Sequence, residues 1–476
     1  KLQKSVSLTT AGHSSPNVRD PKVLVINTGG TIGMTEHENV LSPEPNVFVK
    51  TLRKLSILHD EQYAQQKGLA EDMLVLPQSK QKKRIEYTVL EYSPLLDSCN
   101  MDKDDWARIG KDIEENYDRY DGFVVLHGTD TMAYTTSALS FMCENLGKPV
   151  IFTGSQVPIF ERRNDGRENL LGALLIAGEY VIPDVCLYFH HKLYRGNRVT
   201  KVDSGSFDAF NSPNLPPLAI AEVDIKINWD AVVRANPTAK FTVNTQWNSN
   251  VGLLRLFPGI TADTVKKFLQ KMDGIVLETY GSGNAPDNRP DLLDAIRKAT
   301  KRGLIMINCT QCLRGTVTAT YATGQALHEA GVIAGCDMTA EAALSKLSYV
   351  LAKQDLSTEE KKKMLMRNLR GEMTADPADS RFVQVIAKNL TISRKKGVLT
   401  SMVPTDGLAE AERLTLGLVK VWGVTAPVTR VTMSVTGQPD VDLQFTYNAE
   451  AQELQFDATS QSHTIEKPFT ITWNEA

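Results

Sequence analysis

From residue 22 to about 225, short continuous apolar runs alternate with stretches whose apolar residues recur every three or four positions. "KVLVIN", "GFVVLHG", "KPVIFTG" and "DVCLYFHH" are runs of the first kind, and they predict buried strands. Between them lie predicted helices. "DDWARIGKDIEENY" carries Trp106, Ile109, Ile113 and Tyr117 on one face, and "TMAYTTSALSFMCENL" and "RENLLGALLIAGEY" follow. Apolar strands separated by helices imply an α/β fold, a doubly wound parallel sheet covered on both faces.

A shorter α/β pattern comes next. "VGLLRLFP" and "GIVLETYG" flank the helix "TADTVKKFLQKM"; "RPDLLDAIRKATKRG", with Pro290 in its first turn, leads into the strand "LIMINCTQ". "TAEAALSKLSYVLAKQ" and "STEEKKKMLMRNL" are the closing helices, and Ser357 with Glu360 supplies a capping box for the last. After about 380 the helical period disappears. "RVTMSVTG", "DLQFTYN", "ELQFDATS" and "FTITW" alternate apolar and polar residues, as strands of an antiparallel sheet do. The expected division is therefore a polar extension over 1–21, a larger α/β domain over 22–225, a smaller one over 240–374 and an appended β domain over 380–476.

The chain has 476 residues, 42% of them apolar and 23% charged, which fits a soluble globular protein of two or three domains. A net charge of -3 gives no reason to expect nucleic acid or an anionic membrane as partner. The first twenty residues hold no secretory core, and no apolar run is long enough to span a bilayer. Six scattered cysteines point to a reducing compartment, so a cytoplasmic location is expected. No cofactor or metal is expected either. "CTQC" at 309–312 lacks a second pair, no HExxH occurs, and "HH" at 190–191 has no carboxylate at metal spacing.

Two strand ends carry candidate chemistry. "VLVIN" delivers Thr28, Gly29, Gly30 and Thr31 to the carboxyl edge of the sheet, where doubly wound folds bind ligands. The turn has neither the lysine of a phosphate loop nor the glycine spacing of a dinucleotide fingerprint. "VVLHGTDTM" brings Thr129, Asp130 and Thr131 to the same edge. Either stretch alone also reads as a tight turn or a helix cap with no ligand. A threonine hydroxyl is a weak nucleophile that needs a neighbouring base, and Lys201 in "YRGNRVTKVDS" is the candidate to relay its proton; by residue type alone it reads as a surface lysine.

"TGGTIGM", "HGTDTM" and "RGNRVTKVDS" together resemble the bacterial-type L-asparaginases, and within them the cytosolic type I branch that includes vertebrate enzymes also described as 60 kDa lysophospholipases. The likeness runs from about 22 to 374 and takes in "DSCNM", "KPVIFTGSQVP", "ETYGSGN", "NCTQCLRG" and "LRGEMT" in the family's order. It implies hydrolysis of L-asparagine to L-aspartate and ammonia through an acyl-enzyme, with Thr31 as nucleophile and Thr129, Lys201 and Asp130 as a second triad. Tyr321 is implied as an assistant to Thr31. Asp130 also matches the residue that holds the substrate's α-amino group, Ser98 and Asp97 the turn that holds its α-carboxylate, and Ser155 a lining residue. Asn284 matches a residue that reaches the site of a neighbouring subunit, which implies a homodimer or homotetramer.

The part beyond 380 faintly resembles the distal C-terminal β domain of family 31 α-glucosidases, without that family's catalytic barrel. Three functions stay open on these grounds: asparagine amidohydrolysis, ester hydrolysis on lysophospholipids at the same site, and non-enzymatic sensing of a small molecule.

Overall fold

The computed structural model describes residues 20–37, 40–43, 47–78, 84–233, 239–317 and 322–374, and strands between 391 and 475. Residues 19–374 form one compact unit, and those later strands belong to another. The polar extension, almost in its entirety, and Tyr321 lie outside the described residues.

A nine-stranded sheet organises the first part of the larger unit. In chain order its strands are β1 (Lys22–Gly29), β2 (Met73–Val75), β3 (Glu86–Leu96), β4 (Gly122–Leu126), β5 (Val150–Thr153), β6 (Val185–Phe189), β7 (Lys192–Arg195), β8 (Ala219–Ala221) and β9 (Ile225–Ile227). Across the sheet they run β9-β8-β7-β6-β5-β4-β1-β3-β2. The five central strands, β3, β1, β4, β5 and β6, are parallel. Strands at both margins are antiparallel, a feature the apolar runs did not disclose: β2 is added to β3, and β7, β8 and β9 follow β6 in turn.

Alternation along each central strand sorts its side chains into two cores. Val23, Val25, Val124, Leu126, Ile151, Cys186 and Tyr188 face one side and pack with Leu170, Ala173 and Leu174. Those last three belong to the helix Gly166–Glu179. Leu24, Ile26, Phe123, Val125, Val150, Phe152 and Leu187 face the other side and pack with Ile109, Ile113, Met132 and Leu139. The first two of these sit on the helix Lys103–Asn116, the last two on Met132–Met142. Both faces are covered, as the continuous apolar strands require.

Met132–Met142 is shorter than its sequence pattern implied. Cys143 and Glu144 leave the helix to pair with Thr242–Val243, far along the chain, which supplies ladder partners for their backbone groups. A four-stranded parallel sheet follows, Val251–Arg255, Gly274–Thr279, Ile305–Thr310 and Ile333–Ala334 in spatial order. Pro290 occupies the first turn of the helix Pro290–Lys301, and the Ser357–Glu360 capping box is formed. Between 391 and 475 every strand pair is antiparallel, with Phe469–Glu475 at the centre of a five-stranded sheet. No helix among the described residues is long and apolar enough to cross a membrane.

Candidate active site

The order of the parallel strands fixes where a ligand has room. From β1 the chain moves to β3 on one side, then crosses to β4 on the other, so the carboxyl ends of β1 and β4 open at a reversal of strand order. Both hydroxyl clusters leave the sheet at that point.

Glycine brings them into contact. Gly30 has φ +89°, and a Cβ there would lie 2.5 Å from the backbone nitrogen of Gly128. Gly128 is crowded in its turn, since a Cβ on it would meet Ser98 Oγ at 2.5 Å. Three turns separated in sequence thus touch because two of them lack side chains. Thr31 follows directly and opens a single 3₁₀ turn, Thr31–Gly33, with its side chain half-buried.

Around Thr129 a polar chain runs in one direction. Lys201 Nζ donates to Thr129 Oγ1 at 2.9 Å and to Asp130 Oδ1 at 2.7 Å. Thr129 Oγ1 donates to Gln156 Oε1 at 3.0 Å, and Gln156 Nε2 donates to the carbonyls of Ser204 and Ser206. The amide of Gln156 is thereby oriented, with its oxygen towards the threonine. Cys99 Sγ donates to the second oxygen of Asp130 at 3.3 Å. The Lys201 ammonium and the Cys99 thiol hold the Asp130 carboxyl below its usual range, while that same carboxylate raises the Cys99 thiol.

Ser98 is buried, and its carbonyl accepts from Thr131 Oγ1 at 2.7 Å. Asp97 is exposed at the start of the same turn, where its carboxylate accepts from the Cys99 N–H. Ser155 is buried with no hydrogen-bond partner on its hydroxyl. Asn284 belongs to a different place, the turn after Gly274–Thr279 in the second sheet, where its backbone pairs with that of Tyr280. Of the residues expected from sequence, Ser98, Thr129, Asp130 and Lys201 therefore converge, and Thr31 adjoins them through the Gly30–Gly128 contact.

Gln156 and Cys99 are part of this cluster and were not expected. Each stands one residue after an expected neighbour, Ser155 or Ser98, at a strand-end loop of the same edge. His127, the other titratable group near the turn, is wholly buried: its Nδ1 faces the Gly128 carbonyl at 2.6 Å and its Nε2 faces Thr135 Oγ1 at 2.9 Å. Burial pushes it down to about 4, so it is neutral, and both of its nitrogens are engaged away from Thr31 and Thr129. Cys309 is buried at a strand end and Cys312 is exposed. Among the described residues no cluster of three or more His, Cys, Asp or Glu side chains is arranged to hold a metal ion.

Comparison with known proteins covers the same span. Residues 22–233 match the family model "Asparaginase, N-terminal", and residues 250–365 match "Glutaminase/Asparaginase C-terminal domain". An L-asparaginase of Dirofilaria immitis is 50% identical over 379 residues, 78% of this chain and 64% of that protein, so the chain spans less than two thirds of that relative's length. L-asparaginase 1 of Escherichia coli is 45% identical over 356 residues, 74% of this chain and 98% of the bacterial one. Among solved structures, L-asparaginase I from Vibrio cholerae aligns with a TM-score of 0.64 at 44% identity, covering 75% of this chain and all of that one.

Proposed function

The chain belongs to the asparaginase family, and from that premise we propose that it hydrolyses the side-chain amide of L-asparagine to L-aspartate and ammonia. One observation carries the reading: an ammonium lies within hydrogen-bond distance of both a threonine hydroxyl and a carboxylate at the reversal of strand order, beside a second hydroxyl turn.

The substrate is a small zwitterion carrying an amide. Asp130 is the group suited to its α-ammonium, and the Asp97–Ser98 turn to its α-carboxylate. Thr31 Oγ attacks the amide carbon, and backbone N–H groups at the strand ends take the charge that develops on the amide oxygen. The C–N bond breaks as nitrogen gains a proton and leaves as ammonia. Water then attacks the ester on Thr31, and aspartate departs with the hydroxyl restored.

Lys201 serves as the proton relay through Thr129. With the ammonium protonated, the hydrogen of Thr129 points away from Lys201, towards Gln156. The relay therefore requires Lys201 to give up a proton first and the Thr129 hydroxyl to rotate towards it. Asn284, reaching the site of a second copy, and Tyr321, assisting Thr31, belong to the same proposal on the family likeness. So does a cytoplasmic location, which the six free thiols favour.

The test is ammonia release from asparagine and from glutamine over a concentration series, with lysophosphatidylcholine hydrolysis measured in parallel. Thr31→Ala is expected to lower kcat by about a thousand-fold or more with the melting temperature unchanged. Lys201→Met is expected to lower it about 10²–10⁴-fold. Full turnover in Thr31→Ala would remove that residue as nucleophile. Fatty-acid release without ammonia would replace amide hydrolysis by ester hydrolysis.

A further inference from the structure

Lys201 lies on the short strand Thr200–Lys201, whose only ladder partner among the described residues is Phe210–Asn211. Two residues of ladder define a side-chain direction weakly. Successive side chains of a strand point to opposite sides, so Thr200 faces away from the site when Lys201 faces into it. There Thr200 Oγ1 donates to Glu341 Oε1 at 2.6 Å. Glu341 stands in the first turn of the helix Ala340–Leu351 and is 9% exposed. That helix packs on the second sheet and against the helix Met132–Met142.

The segment just before is pinned by other means. Arg198 donates from Nε to the Gly371 carbonyl at 2.7 Å and from Nη1 to Asp337 at 2.9 Å, and Asp337 also accepts from Thr374. Asn197 donates to the Arg370 carbonyl, and Arg195 bonds Asp184. The chain is thus fixed up to residue 198, and the last step to the ammonium is fixed by Thr200. A carboxylate in the first turn of a helix also complements the helix dipole, which alone would explain Glu341. It would not explain why one of its oxygens is taken by the neighbour of the relay lysine.

We propose that Thr200 and Glu341 form a positioning pair which aims Lys201 at Thr129, so that a helix of the second sheet sets the geometry of the relay. The inference rests on the reading of Lys201 as relay given above. Neither residue touches the reacting atoms; both act through the lysine. A relay displaced by a fraction of an ångström loses rate without losing substrate affinity, because affinity rests on Asp130 and the Asp97–Ser98 turn.

The experiment compares kcat, KM and melting temperature for Thr200→Val, Thr200→Ser, Glu341→Ala, Glu341→Gln, the Thr200→Val/Glu341→Ala double variant and Lys201→Met in the full chain. Thr200→Val and Glu341→Ala are each expected to lower kcat about tenfold with KM within about twofold. Thr200→Ser, which keeps the hydroxyl, and Glu341→Gln, which keeps an acceptor oxygen, are expected to restore most of it. The double variant is expected to lose no more than either single one, as members of one contact do. Unchanged kcat in Thr200→Val, or additive losses in the double variant, would overturn the pairing while an inactive Lys201→Met kept the relay itself. An active Lys201→Met would overturn both.

Discussion

His127 is a useful residue to follow, because its two nitrogens have different partners. The Gly128 carbonyl can only accept, so Nδ1 carries the proton; Nε2 is then the acceptor for the Thr135 hydroxyl. Burial disfavours a second proton and holds the group down to about 4. The folded value lies below the unfolded value of about 6.5, so this contribution is present above pH 6.5 and is lost as pH falls towards 4. Between pH 7 and 5 the loss should be about 2 kcal/mol. Urea unfolding of the wild type and of His127→Gln at the two pH values checks it: the stability gap should narrow by that amount, and a constant gap would refute it. At this scale the sequence exposed what local composition can expose. Two hydroxyl clusters after apolar strands were legible in Thr31 and Thr129. Lys201 was expected from the motif around it, whereas Gln156 and Cys99 acquire meaning only from contacts made across 27 and 31 residues of chain, which no local pattern encodes.

The turns at the ends of β1 and β4 act as single elements that fit together. Gly30→Ala forces an L side chain to φ +89° and drives its Cβ to 2.5 Å from backbone that cannot yield. Gly259, at φ +94° with nothing within 4 Å of such a Cβ, isolates the first of these effects. Gly259→Ala should cost about 1–3 kcal/mol in denaturant unfolding with activity kept. Gly30→Ala should cost more and abolish ammonia release; equal costs and retained activity would show that the turns do not interlock. Elements as a class were readable where they were long. β4, β5 and β6 are almost wholly apolar runs, and the helices Lys103–Asn116 and Ala340–Leu351 begin at recognisable caps. The marginal strands Ala219–Ala221 and Ile225–Ile227 are three residues each, too short for a period of two to stand out.

For the whole molecule, the division at residue 374 is the consequential one. The compact unit of residues 19–374 holds every described residue of the site, and a bacterial relative of which 98% is matched aligns over just 356 residues. A chain ending at Thr374 should therefore release ammonia from asparagine within about twofold of the full-length rate, since every described residue of the site is retained. A loss of more than tenfold would give the later strands a role in catalysis. Those strands should release no glucose from an aryl α-glucoside; the change of texture near 380 was visible as alternation, but alternation names no chemistry.

The clamp on the relay also has a schedule. Thr31 and Thr129 are synthesised early, whereas Gly371 and Thr374, which hold the segment leading to Lys201, come among the last residues of their unit. At roughly 5–20 residues per second, the clamp emerges about 9–35 s after the lysine it steadies. Until then a nascent chain carries its hydroxyls without an aimed cation. On the proposed mechanism, that order withholds reactivity from the growing chain until the unit is finished.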